Sequence, residues 1–248
     1  MPEEFWEKSC LARKYSTRSS TKELNVYRED YMKLVIYGIG KQAECTHYLF
    51  THDSPYEVVA FCVGAAYLSA VGTQFQGLPL VAFEELTALY PPSEYKLYIA
   101  VGLNKVRRQL FEEAKAIGYR FASYIGSRAI TWPNLVMGEH VFIESPSLIH
   151  PFVTIGDNVM ILACTIGHHT VIGSHNLLSV AVLGGNSRVG DNTFIGMGAI
   201  INENVQLGHN NIIGAGSLIG KHTEDNAVYT GEYSKKRLVD ASRVKVFK

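Results

Sequence analysis

"GGNSRVGDNTFIGMGAIINENVQLGHNNIIGAGSLIG", Gly184 to Gly220, decides the fold. Within it an aliphatic residue returns every sixth position, at Val189, Ile195, Ile201, Leu207, Ile213 and Ile219. Glycine follows at Gly190, Gly196, Gly208, Gly214 and Gly220. Read upstream, the beat reaches Leu183, slips by one residue to Leu178, Ile172 and Ile166, and slips again to Ile161, Ile155, Ile149 and Ile143. Helices repeat near 3.6 residues and strands at 2, so neither sustains a period of six over this length. Hexapeptide repetition is the signature of a parallel β-helix. Each repeat supplies one flat side of a prism, pointing one aliphatic residue inward, and glycine permits the bend at the corner. Three sides close a coil of about 18 residues, and coils stack at roughly 4.8 Å. About five coils fit between Asn134 and Thr223.

Upstream the pattern is strand–helix alternation. "KLVIYG" (33–38), "YEVVAFCV" (56–63), "EYKLYIAVG" (94–102) and "YRFASYIG" (119–126) read as strands. "KQAECTHYLF" (41–50) and the amphipathic "NKVRRQLFEEAKAIG" (104–118) read as helices, and "LPLVAFEELTALY" (78–90) as a strand running into a helix. Such alternation predicts a small parallel sheet covered by helices. The expected organisation is an extension over 1–31, an α/β domain over 32–126, a β-helix over 127–231 and a basic tail over 232–248.

The chain of 248 residues has 23 basic and 23 acidic side chains, so bulk charge favours neither nucleic acid nor an anionic membrane as partner. Cys10, Cys45, Cys62 and Cys164 lie far apart with no Cys-x-x-Cys pair, which suits reduced cytosolic thiols better than a disulfide framework or a zinc knuckle. The start is acidic and lacks an apolar core, so no signal peptide is expected. The most apolar window, "VVAFCVGAAYLSAVG", is too short to span a membrane. A cytoplasmic protein is the expectation.

"VIYGIGKQAE", "VGLN" at 101–104, "TIGHHTVIG" at 165–173, "GGNSRVGDNTFIGMGAII" and "IIGAGSLI" together give the chain a resemblance. From Met32 to about Gly231 it resembles the sialic-acid O-acetyltransferases and the bacillosamine-type nucleotide-sugar N-acetyltransferases. The resemblance implies a Rossmann-like first domain, a left-handed coil and a homotrimer with acetyl-CoA bound between neighbouring prisms. It implies that His168 is the catalytic base and that the Gly185 amide meets the thioester carbonyl. The residue after the base is commonly acidic in that family; here it is His169, so the orienting partner is unidentified. A further family histidine aligns with Leu177. The glycine loop, usually Gly-x-Gly-Gly-His, reads Gly38, Ile39, Gly40, Lys41, Gln42, and an acidic pair expected after the second strand is replaced by "VGAA". Acetyl-CoA is thus assigned Gly185, Asn186, Gly198, Gly214, Ala215, Gly216 and Lys235. The nucleotide-linked amino sugar is assigned Gly38, Gly40, Gln42 and Asn104.

Register leads to the same pair independently. The 17-residue step from Ile166 to Leu183 puts Gly185 one coil above His168, and a corner without a side chain admits a thioester. An imidazole is a plausible base near neutrality. Because successive strand residues point to opposite faces, only one of His168 and His169 is expected to aim at the groove. His150, His175, His209 and His222 read as corner or surface residues. "GIGKQAE" falls short of Gly-x-Gly-x-x-Gly, with Ala43 in the last place, and suits either a tight turn or a sugar-nucleotide cradle.

The leading expectation is an acetyl-CoA-dependent N-acetyltransferase acting on a nucleotide-linked deoxyamino sugar. Sugar O-acetylation uses the same apparatus, and a non-catalytic binding protein is a further alternative. A zinc hydrolase on a hexapeptide prism needs three imidazoles. The closely spaced histidine pair of such enzymes, five residues apart, is missing, since Gly173 and Ser174 occupy the places that follow His168 and His169, so no metal is expected.

Overall fold

A computed structural model describes residues 32–232 together with residues 234, 236 and 238. The 1–31 extension expected from the sequence lies outside these, as does most of the tail.

Apolar runs rich in β-branched and aromatic residues form β1 (Met32–Tyr37), β2 (Tyr56–Val63), β4 (Leu78–Ala82) and β5 (Lys96–Ile99), with the short β3 (Gln74–Phe75) hairpinned onto β4. The spatial order is β3-β4-β2-β1-β5, parallel throughout except for β3. The helices are α1 (Lys41–Asp53), α2 (Ala65–Val71), α3 (Leu86–Leu89) and α4 (Asn104–Ala116). Helix α4 buries Arg107, Phe111 and Ala114 at four- and three-residue spacing and leaves the Arg108–Glu112 pair outside. Val35, Ala60, Leu97 and Ile99 pack on this helix from one side of the sheet. From the other side Leu34, Ile36, Phe61 and Tyr98 pack on Phe50 of α1 and on Phe142, Met160 and Leu177 of the prism.

"YRFASYIG" does not add the expected last strand to this sheet. Only Phe121 bridges it, opposite Leu97, while Tyr124–Ile125 pairs with Phe142–Ile143 and opens the prism. The chain thus crosses from sheet to prism within three residues, and the apolar alternation on which the strand was read serves two sheets.

Three parallel sheets of five, seven and five strands make the prism. Face I carries Val171–Ile172, Arg188–Val189 and Gln206–Leu207; face II carries Leu177–Ser179, Phe194–Ile195 and Ile212–Ile213; face III carries Thr165–Ile166, Val182–Leu183 and Ile200–Ile201. Every aliphatic residue of the six-residue beat from Ile143 to Ile219 is buried in one core. At about 1.5–3 kcal/mol for each side chain removed from water, this row dominates the stability of the prism. Partner registers of Ile166 with Leu183 and Leu183 with Ile201 reproduce the coil steps read from the sequence.

The corners are built differently from expectation. The turn is made by a residue at positive φ, and on two corners this is mostly asparagine or histidine: Asn158, His175 and Asn192 between faces I and II, His169, Asn186 and Asn204 between faces III and I. The glycine before it answers to stacking instead: a Cβ on Gly184 would lie 2.4 Å from the Glu203 nitrogen of the next coil.

Candidate functional site

His168 and Gly185 occupy corner III–I in successive coils. The imidazole lies directly against the Gly185 backbone, so a Cβ there would fall 2.7 Å from His168 Cε1 and 2.8 Å from Nε2. Only glycine leaves room for the ring in this position. Above and below, the corner is pinned by Asn186 N–H to His168 O at 2.7 Å and Asn204 N–H to Gly185 O at 3.0 Å. The Gly185 N–H itself has no acceptor among the described residues. An exposed imidazole thus stands against a glycine whose amide has no acceptor among the described residues, a pairing of groups suited to moving a proton and binding a carbonyl oxygen.

His169 corrects the alternation argument. It is not a strand residue but the corner residue at φ 58°, and its ring swings to the same side as His168. The two Nδ1 atoms are 3.1 Å apart, with ring planes at 85°. From the coil below, Phe152 stacks on His169 at 4.6 Å between centroids.

The remaining residues assigned to acetyl-CoA divide between two corners. Asn186 stands beside Gly185 and donates from Nδ2 to Asn204 Oδ1 at 2.7 Å. Gly198, Gly214, Ala215 and Gly216 line corner II–III, at the other edge of face III, where Gly198 and Gly216 are the positive-φ residues. The Ala215 N–H has no acceptor among the described residues, whereas those of Gly214 and Gly216 bond to Tyr229 O and Met197 O. Lys235 lies outside the described residues.

Of the residues assigned to the sugar nucleotide, Gly38 and Gly40 sit at the carboxyl end of β1, beside Ala100–Gly102 at the end of β5. Connections leave in opposite directions here, because β1 leads to β2 on one side and β5 lies on the other. Such a switch point is where open α/β sheets bind ligands. Gly38 has φ 126°, and Gly40 caps α1 with no side-chain hydrogen bond, leaving first-turn amides near Gln42 open. Asn104 is different: Nδ2 donates to Thr193 O at 3.1 Å and Oδ1 accepts from Arg107, so it fastens α4 to the prism. An acid that the sequence did not point to does lie beside "VGAA". Glu84, just after β4, reaches back to accept the Ala65 N–H at 3.0 Å.

Sequence reading also missed the network under this crevice. Arg107 is fully buried and donates to Asn158 Oδ1, Val101 O, Gly102 O, Asn104 Oδ1 and Asn176 O, all at 3.0–3.1 Å. Five donors meet five acceptors, none of them charged, and burial pulls its pKa down to about 10. His140 accepts the Ile99 N–H on Nε2 at 2.8 Å, so its proton is on Nδ1 and is donated to Asn158 at 2.9 Å. Burial lowers its pKa to about 3, with the Arg107 charge adding to the effect. Helical spacing showed Arg107 on the apolar stripe of α4, and that was the one available signal. Among the described residues no group of three or more His, Cys, Asp or Glu side chains is set to hold a metal ion, and no helix is long and apolar enough to cross a membrane.

With parallel faces and a bare-amide corner in place, the chain can be set beside known proteins. Residues 186–221 match the bacterial transferase hexapeptide family model (six repeats). No curated protein sequence matches the chain significantly. Among solved structures, the acetyltransferase domain of PglB from Neisseria gonorrhoeae is 24% identical with a TM-score of 0.74, over 81% of this chain and 97% of that one. The same domain in complex with acetyl coenzyme A gives 23% and 0.73, over 82% and 97%. PerB from Caulobacter crescentus, in complex with CoA and GDP-perosamine, is 25% identical with a TM-score of 0.72, over 80% of this chain and 94% of that one. The parallel sheets, the repeat and these neighbours fit a left-handed β-helix.

Proposed function

We propose that the chain is an acetyl-CoA-dependent N-acetyltransferase acting on the amino group of a nucleotide-linked deoxyamino sugar. The observation that carries this reading is the His168 ring standing against the Gly185 backbone, whose amide has no acceptor among the described residues. Support comes from PerB, solved with CoA and GDP-perosamine, and from PglB, solved with acetyl coenzyme A.

His168 Nε2 takes a proton from the sugar amine as its nitrogen attacks the thioester carbon, a contribution of about 10²–10⁴-fold. The Gly185 amide donates to the carbonyl oxygen as charge grows there, and in other enzymes losing one such donor costs about 2.7–4 kcal/mol. The carbon–sulfur bond then breaks, and the proton held on Nε2 passes to the departing sulfur. The base returns to its neutral form, and an amide and a free thiol are the products. The small residues and open Ala215 amide of corner II–III suit a narrow pantetheine chain. In this reading 32–126 is a Rossmann-like substrate domain and 127–231 the acyltransferase domain. Gly38, Gly40 and Gln42, with the open end of α1, offer donors to the nucleotide phosphates. Asn104 is left out of this set because both ends of its amide are engaged.

The two halves of the acetyl-CoA surface lie on different corners of one prism, which argues for a homotrimer in which neighbouring copies complete each site. Face I presents Arg188 and Gln206 to solvent. Faces II and III present Ile212, Val228, Ile200 and Leu218, the last 68% exposed, on either side of Met197 at corner II–III. A continuous apolar wedge of this kind marks an interface. Both substrates would be met in the cytoplasm.

The test is free-thiol release from acetyl-CoA in the presence of UDP-, dTDP- and GDP-linked amino sugars. One of these should give thiol and a hydroxylamine-stable amide in equal amounts. Intact CoA binding without thiol release from any of them would overturn the enzyme reading, and a hydroxylamine-labile product would move it to O-acetylation.

A further inference from the structure

We propose that His169 is the positioning residue for His168: its Nδ1 accepts the Nδ1 proton of His168 and so leaves the lone pair of His168 Nε2 over Gly185. The inference rests on the acetyltransferase reading and supplies the orienting partner that the sequence does not. Two ring nitrogens 3.1 Å apart form a hydrogen bond only if one carries the proton and the other does not. If His168 is the donor, its Nε2 is unprotonated, as a base requires; if His169 is the donor, Nε2 carries the proton and the ring cannot accept one.

Three features hold His169 in place beside His168. Its backbone is fixed at φ 58° by the corner, its N–H donates to Pro151 O at 3.2 Å, and its ring lies on Phe152 with 28° between planes. No carboxylate forms an ion pair with either ring among the described residues, which leaves the neighbouring imidazole as the hydrogen-bonding partner of His168 Nδ1. When His168 takes a proton on Nε2 during transfer, the same Nδ1–H···Nδ1 bond becomes charge-assisted and therefore shorter and stronger. The proton count does not change, since the Nδ1 proton stays on His168 throughout.

Neighbouring coils provide substitutions that the backbone already accepts. Phe152 below and Asn186 above occupy the same corner position at φ 64° and φ 58°. His169→Phe keeps the aromatic ring and removes the acceptor; His169→Asn restores an acceptor oxygen. Nitrogen-15 NMR of the imidazoles in the intact chain should find His168 protonated on Nδ1 in the wild type and in His169→Asn, and redistributed towards Nε2 in His169→Phe. Turnover should fall about ten- to a hundredfold in His169→Phe, with KM for acetyl-CoA unchanged, and recover in His169→Asn. A His168 ring protonated on Nε2 in the wild type, or a tautomer indifferent to His169→Phe, overturns the proposal even if the enzyme acetylates sugars. Absence of thiol release from the wild type with every sugar instead removes the activity and leaves the NMR result to stand or fall alone.

Discussion

Two corners of the same prism treat the amide after the strand in opposite ways. At corner I–II each such N–H is capped from the next coil: Glu139 by Asp157 Oδ1 at 2.8 Å, Asp157 by Ser174 Oγ at 3.1 Å, Ser174 by Asp191 Oδ1 at 2.7 Å, Asp191 by His209 Nδ1 at 2.9 Å. At corner III–I the equivalent amides of His168, Gly185 and Glu203 have no acceptor among the described residues. An unmade hydrogen bond is tolerable where solvent or a ligand reaches it. A corner that stays bare while its neighbour is capped coil after coil is available for binding. The contrast also sorts the histidines, since His209 and His140 act as acceptors for backbone amides within the fold, whereas His168 lies against Gly185, whose amide has no acceptor among the described residues.

The largest break in this contrast is His168→Ala, which should lower kcat about 10²–10⁴-fold and leave oligomer size unchanged. Steady-state thiol release beside size-exclusion chromatography reads both, and wild-type turnover would remove His168 from the mechanism. Gly185→Val comes next. Its branched side chain must displace the imidazole, and a shift near 1 Å in a reacting group is worth about 10²-fold. CoA titration should also find weaker binding, and tight, unchanged CoA binding in a folded variant contradicts the placement.

His140 sharpens the comparison through pH. Folding lowers its pKa from 6.5 to about 3, so between these values the unfolded chain binds a proton that the folded chain does not. Its contribution is therefore complete above pH 6.5 and drains away as pH falls, by about 2 kcal/mol at pH 5. Denaturant melts of His140→Gln should have a flatter acid limb than the wild type between pH 7 and pH 5. The smallest effect belongs to His209→Ala, which uncaps one partly exposed amide. It should cost about 0.5–1.5 kcal/mol in the same melts and leave kcat untouched.

The prism was legible because burial enforces a row of aliphatic residues: a polar residue at Ile195 or Ile201 would face a closed core. The longer sheet elements were legible for the same reason. Helix α2 and strand β3 were not, since seven and two residues are too few to reveal a period. The His168–Gly185 pair followed from register, which a regular solenoid transmits from coil to coil. His169 was misread because strand alternation fails at a corner, where positive φ turns two successive side chains to one side. Arg107, Asn158 and His140 are scattered over fifty residues of sequence, and only docking of the sheet on the prism brings them together.

The most direct measurement is the position of the thioester carbonyl in a crystal structure with acetyl-CoA bound. Its oxygen should lie about 2.7–3.1 Å from the Gly185 nitrogen, with His168 Nε2 facing the carbonyl carbon's open side. A thioester seated at the capped corner, or a Gly185 amide left unmet while acetyl-CoA is fully bound, would contradict the assignment of corner III–I as the acetyl-transfer site.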